Sequence, residues 1–404
     1  MKGYDIMKIK LGVFFGGKSV EHEISIISAV QAMYSLDTEK YDIVPVYITK
    51  NNEFYTGEML KDIENYKNLP ALLKECQRVL LVNTGKNVEL LKFPFKKFGN
   101  NTVNFIDVAF PIVHGTNVED GSLQGYLKTL NLPYVGCDVL SSAVGMDKYV
   151  MKTVLKDNNI PVLDCKCYLA KDFDNPDAVM DEIEKEIGYP VIVKPVNLGS
   201  SIGISKASDR EKLYESLSTA FDYASKVLVE TCIENLKEIN CSVCGDVDEA
   251  EASECEEPVN SDEILSFEEK YMGGGAKDSG SKGMASTKRL IPANITSEQR
   301  EEIRRLAVKA FQCLGCNGVS RIDFMIDKDT QKIWLNEINT IPGSLSFYLW
   351  EPIGTPYTKL LDKMIELAMK RDREEENITY TFDSNVLSGV KLGGGTKGAK
   401  GSKM

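Results

Sequence analysis

Three short apolar runs constrain the fold most: residues 9–15, 41–48 and 105–113 each read as a buried strand. Between the first two, Ile24, Ile27, Val30 and Tyr34 recur at helical spacing and predict the buried face of a helix. Strand, helix, strand in that order predicts a parallel α/β sheet. A helix around 146–156, a strand at 191–194, a Gly/Ser loop at 199–203 and a helix near 208–220 predict a second unit. Strands near 226–230, 238–245, 320–326 and 333–336, with a helix at 297–314, predict a third, closed by an amphipathic helix at 355–370. No internal repeat is visible.

Length and charge narrow the class further. At roughly 100–200 residues per domain, 404 residues suggest two to four domains. Lys+Arg 48 against Asp+Glu 60 leave a net charge of −12, a field that repels nucleic acid and anionic membranes. No apolar run reaches the ~18–20 residues that span a bilayer, and the opening MKGYDIMKIKLGVFFGG turns into strand too soon for a secretory signal. Ten cysteines without a dense framework read as reduced thiols, which predicts a cytoplasmic protein. Residues 246–257 carry seven acids in twelve and predict a solvated hairpin tip or loop. The five glycines of 272–283 predict a mobile loop, and the Gly/Lys/Ser-rich stretch 384–404 a disordered tail.

One motif misleads. Residues 12–19, GVFFGGKS, match the phosphate-loop pattern GxxxxGK[ST] letter for letter. That motif works by wrapping loop amides around a phosphate. Here Val13, Phe14 and Phe15 complete a buried strand, so a tight strand-to-helix turn at Gly16-Gly17 is the favoured reading. GxGxxG is absent from this turn, so the dinucleotide fingerprint fails as well.

Four other segments place reactive residues at the ends of strands and helices. In GGKSVEHEIS, Glu21 and His22 start a helix, where a carboxylate can capture an amine or simply complement the helix dipole. In HGTNVEDGSLQG, His114 follows a strand and Glu119-Asp120 open the next helix. Strand ends facing a crevice are where α/β proteins bind ligands, although a lone loop histidine also serves structure. Lys148, in GMDKYVMK, falls in the first turns of a further helix. Lys194 ends the strand of YPVIVKPVNLGSSIG beside a small-residue loop whose amides and hydroxyls can fold over a phosphate. Burying its ammonium without a partner is costly. In GVSRIDFMID, alternation puts Arg321, Asp323 and Met325 on one strand face; in WLNEINTIPG, Glu337 and Asn339 lie two apart. Three oxygen donors on adjacent strands suit Mg²⁺ shared with nucleotide phosphates, the plainer alternative being a structural salt bridge. Arg321 beside them suits an oxyanion or a phosphate.

In order from Gly16 to about Ala368, these segments resemble the ATP-grasp ligases, and more closely the D-alanine–D-alanine ligase family. The resemblance implies an α/β chain: an N-terminal parallel-sheet domain (1–140) followed by a two-lobed ATP-grasp fold. Its central lobe is 141–230 and its C-terminal lobe, with a lid loop, is 231–375. Lys148 and Lys194 then match the lysines that contact ATP phosphates. Glu230 matches the hinge acid near the adenine, with backbone from Thr231 to Ile233 lining the purine, and Glu238 the acid on the ribose. Lys270 and Tyr271 match a lid pair whose lysine reaches the terminal phosphate. Asp323, Glu337 and Asn339 match the ligands of two Mg²⁺ ions, with Mn²⁺ as a substitute. Glu21 matches the receiver of the first substrate's ammonium, and Glu21, Ser200 and Tyr271 a hydrogen-bonded triad over the substrate. His114 stands at the predicted substrate crevice.

The implied reaction joins two D-amino acids for peptidoglycan precursors. One carboxylate takes the terminal phosphate of ATP, and the amine of the second amino acid attacks the acyl phosphate. Arg321 and the amide of Gly343 match the groups that stabilise the oxyanion. The partners implied are small molecules, with a homodimer as the common assembly. The sequence departs from the family pattern PGxTxxS, reading PGSLSFY at 342–348, so Tyr348 stands where a serine binds the second substrate's carboxylate. The lid, 272–293, is also longer and richer in glycine than usual. Three alternatives follow: a D-serine or other acceptor, a non-catalytic ATP-binding module, and a P-loop hydrolase. The pairs Cys241/Cys244 and Cys313/Cys316 invite zinc, but residues three apart in a strand point to opposite faces.

Overall fold

A computed structural model describes residues 8–199, 202–258, 289–382 and 384. Ser200, Lys270, Tyr271, the stretch 272–283 and the tail beyond 384 lie outside the described residues. No helix among the described residues is long and apolar enough to cross a membrane.

The first sheet holds β1 (Ile9–Gly16), β2 (Tyr41–Ile48), β3 (Phe54–Thr56), β4 (Gln77–Asn83), β5 (Val88–Lys92), β6 (Thr102–Ile106) and β7 (Val108–Ile112). Their order is β6-β5-β4-β3-β2-β1-β7. The expected parallel sheet is therefore mixed: only β2, β1 and β7 run parallel, and the rest pair antiparallel through short connections. The run at 105–113 is two strands rather than one. Asp107 divides it, its carboxylate accepting the Lys10 N–H (2.8 Å) while its own N–H donates to the Lys10 carbonyl (2.9 Å).

Helix α1 (His22–Ser35) makes the β1-to-β2 crossover; of the stripe expected to be buried, Val30 is buried, Ile24 and Ile27 are half-buried and Tyr34 is not. Tyr34 is 71% exposed, while His22, Ser25, Ser28, Ala29 and Ala32 point inward. Small side chains there let the helix press close: Ser25 Oγ accepts the Gly16 N–H (2.7 Å) and donates to the Ile112 carbonyl (2.6 Å). The Gly16-Gly17 turn carries φ of +91° and +95°, and a Cβ on Gly16 would sit 2.3 Å from the Ile48 carbonyl oxygen. With Val13, Phe14 and Phe15 fully buried in β1, these residues form a turn and no phosphate loop.

Helices α2 (Leu69–Glu75), α3 (Ser122–Thr129), α4 (Val139–Met146) and α5 (Lys148–Asp157) precede a second sheet. Glu119 and Asp120 sit in the turn before α3 rather than in the helix. The second sheet comprises β8 (Cys165–Leu169), β9 (Val191–Pro195), β10 (Ser205–Ala207) and β11 (Lys226–Thr231), all antiparallel, in the order β10-β9-β11-β8. Val191, Val193, Val227 and Val229 bury one face against α6 (Pro176–Glu186) and α7 (Arg210–Tyr223). Period-2 alternation turns Lys194 and Glu230 to the opposite face.

The third sheet comprises β12 (Leu236–Gly245), β13 (Ala250–Pro258), β14 (Arg289–Leu290), β15 (Gly318–Asp327) and β16 (Ile333–Asn339), in the order β14-β13-β12-β15-β16. Ile239, Cys241, Ile322, Phe324 and Leu335 pack with Leu306 and Phe311 of α8 (Ser297–Cys313), while the other face is polar around Asn240, Asp323 and Glu337 and apolar at Cys244 and Val319, which join the first core. The acidic segment is thus mostly strand, with only its first residues turning at the tip. Three of its acids are buried and paired, Asp246 with Lys370 (2.7 Å), Glu254 with Arg300 (2.7 Å) and Glu256 with Arg289 (3.2 Å). Cys241 and Cys244 fall in different cores, as strand geometry requires. Helix α9 (Tyr357–Glu375) packs against α1 and β7 of the first unit and against β12 and β15 of the third sheet.

Candidate active site

The polar faces of the second and third sheets are joined by α5. Asp147 caps that helix by accepting the N–H groups of Tyr149 (3.1 Å) and Val150 (3.0 Å), so Lys148 and Lys152, four apart, share one side. Lys148 donates to the Leu198 carbonyl (2.8 Å) and pairs with Glu337 of the third sheet (3.1 Å). Lys194, on the second sheet, reaches Asn336 Oδ1 of the third (3.2 Å) and Glu230 Oε1 (2.5 Å). Lys152 takes the other oxygen of Glu230 (2.5 Å).

Two ammonium groups therefore share one carboxylate in a buried layer, with one positive charge uncompensated inside it. Burial drives the Glu230 carboxyl up, but Lys194 and Lys152 outweigh it and hold the group at about 2. Burial pulls the Lys152 ammonium down despite its partner. A site with surplus buried positive charge is suited to a polyanion. Sequence reasoning found Lys194 and Glu230 but missed Lys152; its place four residues after Lys148 was the available signal.

Across the third sheet, Glu256, Asn240, Asp323 and Glu337 are consecutive cross-strand partners, so their side chains form a row on one face. Arg321 grips Asp323 with two bonds (both 2.7 Å), and Asn339 Nδ2 donates to Asp323 Oδ2 (3.0 Å). The predicted metal-ligating trio is thus together. Two carboxylates and an amide, with all donors oxygen, fit a hard divalent cation, and Lys148 on Glu337 places phosphate-binding charge beside them. Glu238 is exposed near the start of the otherwise largely buried β12, Thr231 is exposed at the end of β11, and Ile233 is half-buried just beyond it.

The first sheet supplies the remaining wall. Glu21 lies against Gly115 and Gly199, where an added Cβ would come within 2.8 and 3.4 Å of its Oε2. It thus meets the Gly/Ser loop of the second unit, and Thr116 Oγ1 donates to the Asn197 carbonyl there (2.8 Å). His114 is buried, with Nδ1 donating to the Ile341 carbonyl (2.8 Å) and Nε2 accepting from Ser28 Oγ (2.9 Å). Burial lowers its imidazole to about 4, so it works as a neutral strut. Ser28 Oγ in turn accepts the Ser344 N–H (3.0 Å). Glu119, missed as a site residue, accepts the N–H groups of Gly115 and Ile341 (both 2.9 Å), and burial lifts its carboxyl to about 7.

These bonds hold the turn after β16 that presents Gly343. Ser344, Leu345 and Ser346 there carry φ of 51°, 51° and 50°, a left-handed run that costs roughly 1–2 kcal/mol per non-glycine residue. Such strain persists only where the surroundings over-determine it, and it clusters at functional sites. Tyr348 leaves this turn with its O–H donating to Glu256 (3.2 Å), its ring 4.1 Å from the Arg289 guanidinium. Sequence reasoning missed Glu256 and Arg289.

With two sheets, a lysine helix and a carboxylate row converging on one cleft, the comparisons with known proteins decide the family. Residues 10–137 match the family described as D-ala D-ala ligase N-terminus, and residues 154–366 its C-terminus. The chain belongs to the D-alanine–D-alanine ligase family. It is 40% identical over 389 residues to a D-alanine--D-alanine ligase of Thermosipho melanesiensis, covering 95% of this chain and 99% of that one. It is 41% identical over 387 residues to one of Caldicellulosiruptor bescii, covering 93% and 99%. Among solved structures, a D-alanine-D-alanine ligase from Coxiella burnetii superposes with a TM-score of 0.74 at 30% identity, covering 91% and 96%. The VanG D-Ala:D-Ser ligase from Enterococcus faecalis gives 0.74 at 31%, covering 90% and 100%. These neighbours carry the ATP-grasp fold expected of the chain.

Proposed function

We propose that this protein is an ATP-dependent ligase that joins two D-alanine molecules through an acyl phosphate, supplying D-alanyl-D-alanine for peptidoglycan precursors. One observation carries the reading: Lys148 and Lys194 reach from α5 and the second sheet to Glu337 and Asn336 of the third, closing an anion-binding cleft over a carboxylate cluster. Such a cleft suits the triphosphate of ATP in the cytoplasm.

In this reading Lys148 and Lys194 bind phosphate oxygens, and Glu230 and Lys152 fix the position of Lys194. Glu238 takes the ribose and the backbone from Thr231 to Ile233 the purine. Asp323, Glu337 and Asn339 would hold the two Mg²⁺ ions, or Mn²⁺, and these would supply positive charge to neutralise the phosphates. Glu21 receives the ammonium of the first D-alanine beside Gly199; the roles expected of Ser200, Lys270 and Tyr271 fall outside the described residues. The D-alanine carboxylate attacks the terminal phosphorus of ATP, and ADP leaves. The amine of the second D-alanine then attacks the acyl carbon. Arg321 and the Gly343 amide stabilise the tetrahedral oxyanion until phosphate departs. Most of the rate comes from positioning and charge neutralisation.

Incubation with ATP, Mg²⁺ and pooled D- and L-amino acids, resolved by mass spectrometry, tests this. D-Alanyl-D-alanine is expected, with its synthesis lost in Lys194→Ala; undiminished synthesis in that variant would refute the assignment. Tyr348 and the likeness to a D-Ala:D-Ser ligase favour one second reading, a D-serine acceptor. Exclusive D-alanyl-D-alanine from mixed acceptors would eliminate it.

A further inference from the structure

We propose that Glu119 and Ser28 are positioning residues that hold the Gly343 amide at a fixed separation from Glu21, and so set the register in which the first D-alanine reacts. The inference rests on the ligase reading above and deepens it by naming what spaces the two ends of that substrate's site.

An α-amino acid carries its ammonium and its carboxyl carbon on one Cα. A site that receives the ammonium at Glu21 and stabilises the oxyanion at Gly343 therefore works only when those two points are held to within about 0.5 Å. They belong to different parts of the chain: Glu21 precedes α1 of the first unit, and Gly343 follows β16 of the third sheet. Buried side chains of the first unit tie them together.

Glu119 is 8% exposed, and its carboxylate is divided between the two parts. Oε2 accepts the Gly115 N–H (2.9 Å), while Oε1 accepts the Ile341 N–H (2.9 Å) and the Thr340 hydroxyl (3.3 Å). Gly115 is the floor beneath Glu21: at its φ of +84° a Cβ would fall 2.8 Å from Glu21 Oε2 and 2.3 Å from Ser19 Oγ. Ile341 stands two residues before Gly343. One carboxylate thus reaches from under the ammonium receiver to the oxyanion turn.

Ser28 secures the far side of Gly343. Its buried hydroxyl accepts the Ser344 N–H (3.0 Å) and donates to His114 Nε2 (2.9 Å), and His114 Nδ1 donates to the Ile341 carbonyl (2.8 Å). Ile341 is held at both its N–H and its carbonyl, Ser344 is held at its N–H, and Gly343 lies between them. These anchors all come from the first unit, and they over-determine a turn whose Ser344 carries a φ of 51°. Lys148 and Lys194 sit on other partners, Leu198 and Glu337 for the first, Asn336 and Glu230 for the second. Loosening the turn should therefore disturb the amino acid and spare the nucleotide.

Steady-state kinetics with D-alanine and ATP varied in turn, on protein shown to be folded by circular-dichroism melting, tests this. Glu119→Gln keeps the shape but points an amide N–H at one of the two N–H groups. It should lower kcat/KM for D-alanine at least about tenfold, the loss of one hydrogen bond to a charged group, with a raised KM for D-alanine as part of the fall. The KM for ATP should stay within about threefold. Ser28→Ala deletes a single oxygen and should give the same split at about fivefold or more. A merely structural role would lower kcat in proportion to the protein lost and leave the KM for D-alanine alone. That pattern, an unchanged kcat/KM for D-alanine, or an equal rise in the KM for ATP would overturn the proposal. Ser28→Ala decides alone if Glu119→Gln does not fold. Absence of dipeptide from the unmodified protein would instead overturn the ligase reading beneath it.

Discussion

Replacing Glu230 by glutamine removes the one negative charge between Lys152 and Lys194 while keeping its shape. The carboxyl sits at about 2 in the folded chain against an ordinary value of 4.5. At about 1.36 kcal/mol for each tenfold change in ionisation, that depression corresponds to about 3.4 kcal/mol of stability near neutral pH. Removing one partner of a buried pair typically costs about 3–5 kcal/mol, which agrees. A depressed carboxyl contributes fully above its unfolded value and loses that contribution as pH falls toward its folded value. Linkage leaves about 1.4 kcal/mol at pH 3. Urea unfolding of both proteins should therefore show a gap of about 3 kcal/mol at pH 7 that narrows by roughly half near pH 3. Adding Lys152→Met to Glu230→Gln should recover part of the loss, since one of two facing ammonium groups is gone. A gap under about 1 kcal/mol at pH 7, or one that does not narrow in acid, would refute the charge-sharing argument.

Three further outcomes follow from other parts of the molecule. His114, held down at about 4, adds stability that is present above about 6.5 and lost as pH falls through about 4; its NMR resonances should show no titration between pH 8 and 5. A midpoint near 6.5 would contradict its buried bonds. Gly16→Ala should destabilise the chain by at least about 2 kcal/mol by thermal or chemical unfolding, because its Cβ would overlap the Ile48 carbonyl oxygen at a positive φ. Chelation of divalent cations should abolish ADP formation, with Mg²⁺ or Mn²⁺ restoring it; full turnover in chelator would remove Asp323, Glu337 and Asn339 from their proposed role.

Much of the cleft was legible because its chemistry sits where strand periodicity is clean. Arg321 and Asp323 alternate along β15, Glu337 and Asn339 along β16, and the apolar residues between them mark the opposite face. Lys194 was visible for the same reason. The first sheet was less legible: short antiparallel strands follow β2, and Asp107 breaks what reads as one apolar run. The inner face of α1 was read only in part: Val30 is buried as expected, but Ile26 and Met33 share the inner face with serines and alanines that apolar periodicity does not weigh. Glu256 was hidden inside a charge run, and only the arginines that reach β13, Arg289 to Glu256 and Arg300 to Glu254, make its acids compatible with burial. Those partners are distant in sequence, so no local pattern reveals them.

The proposed chemistry turns on an oxygen atom moving from a carboxylate to phosphate. D-Alanine carrying ¹⁸O in its carboxyl group, supplied with ATP and Mg²⁺, tests that directly when the released phosphate is weighed by mass spectrometry. One labelled oxygen per phosphate is the expected result. Dipeptide formation with unlabelled phosphate would contradict the acyl-phosphate route.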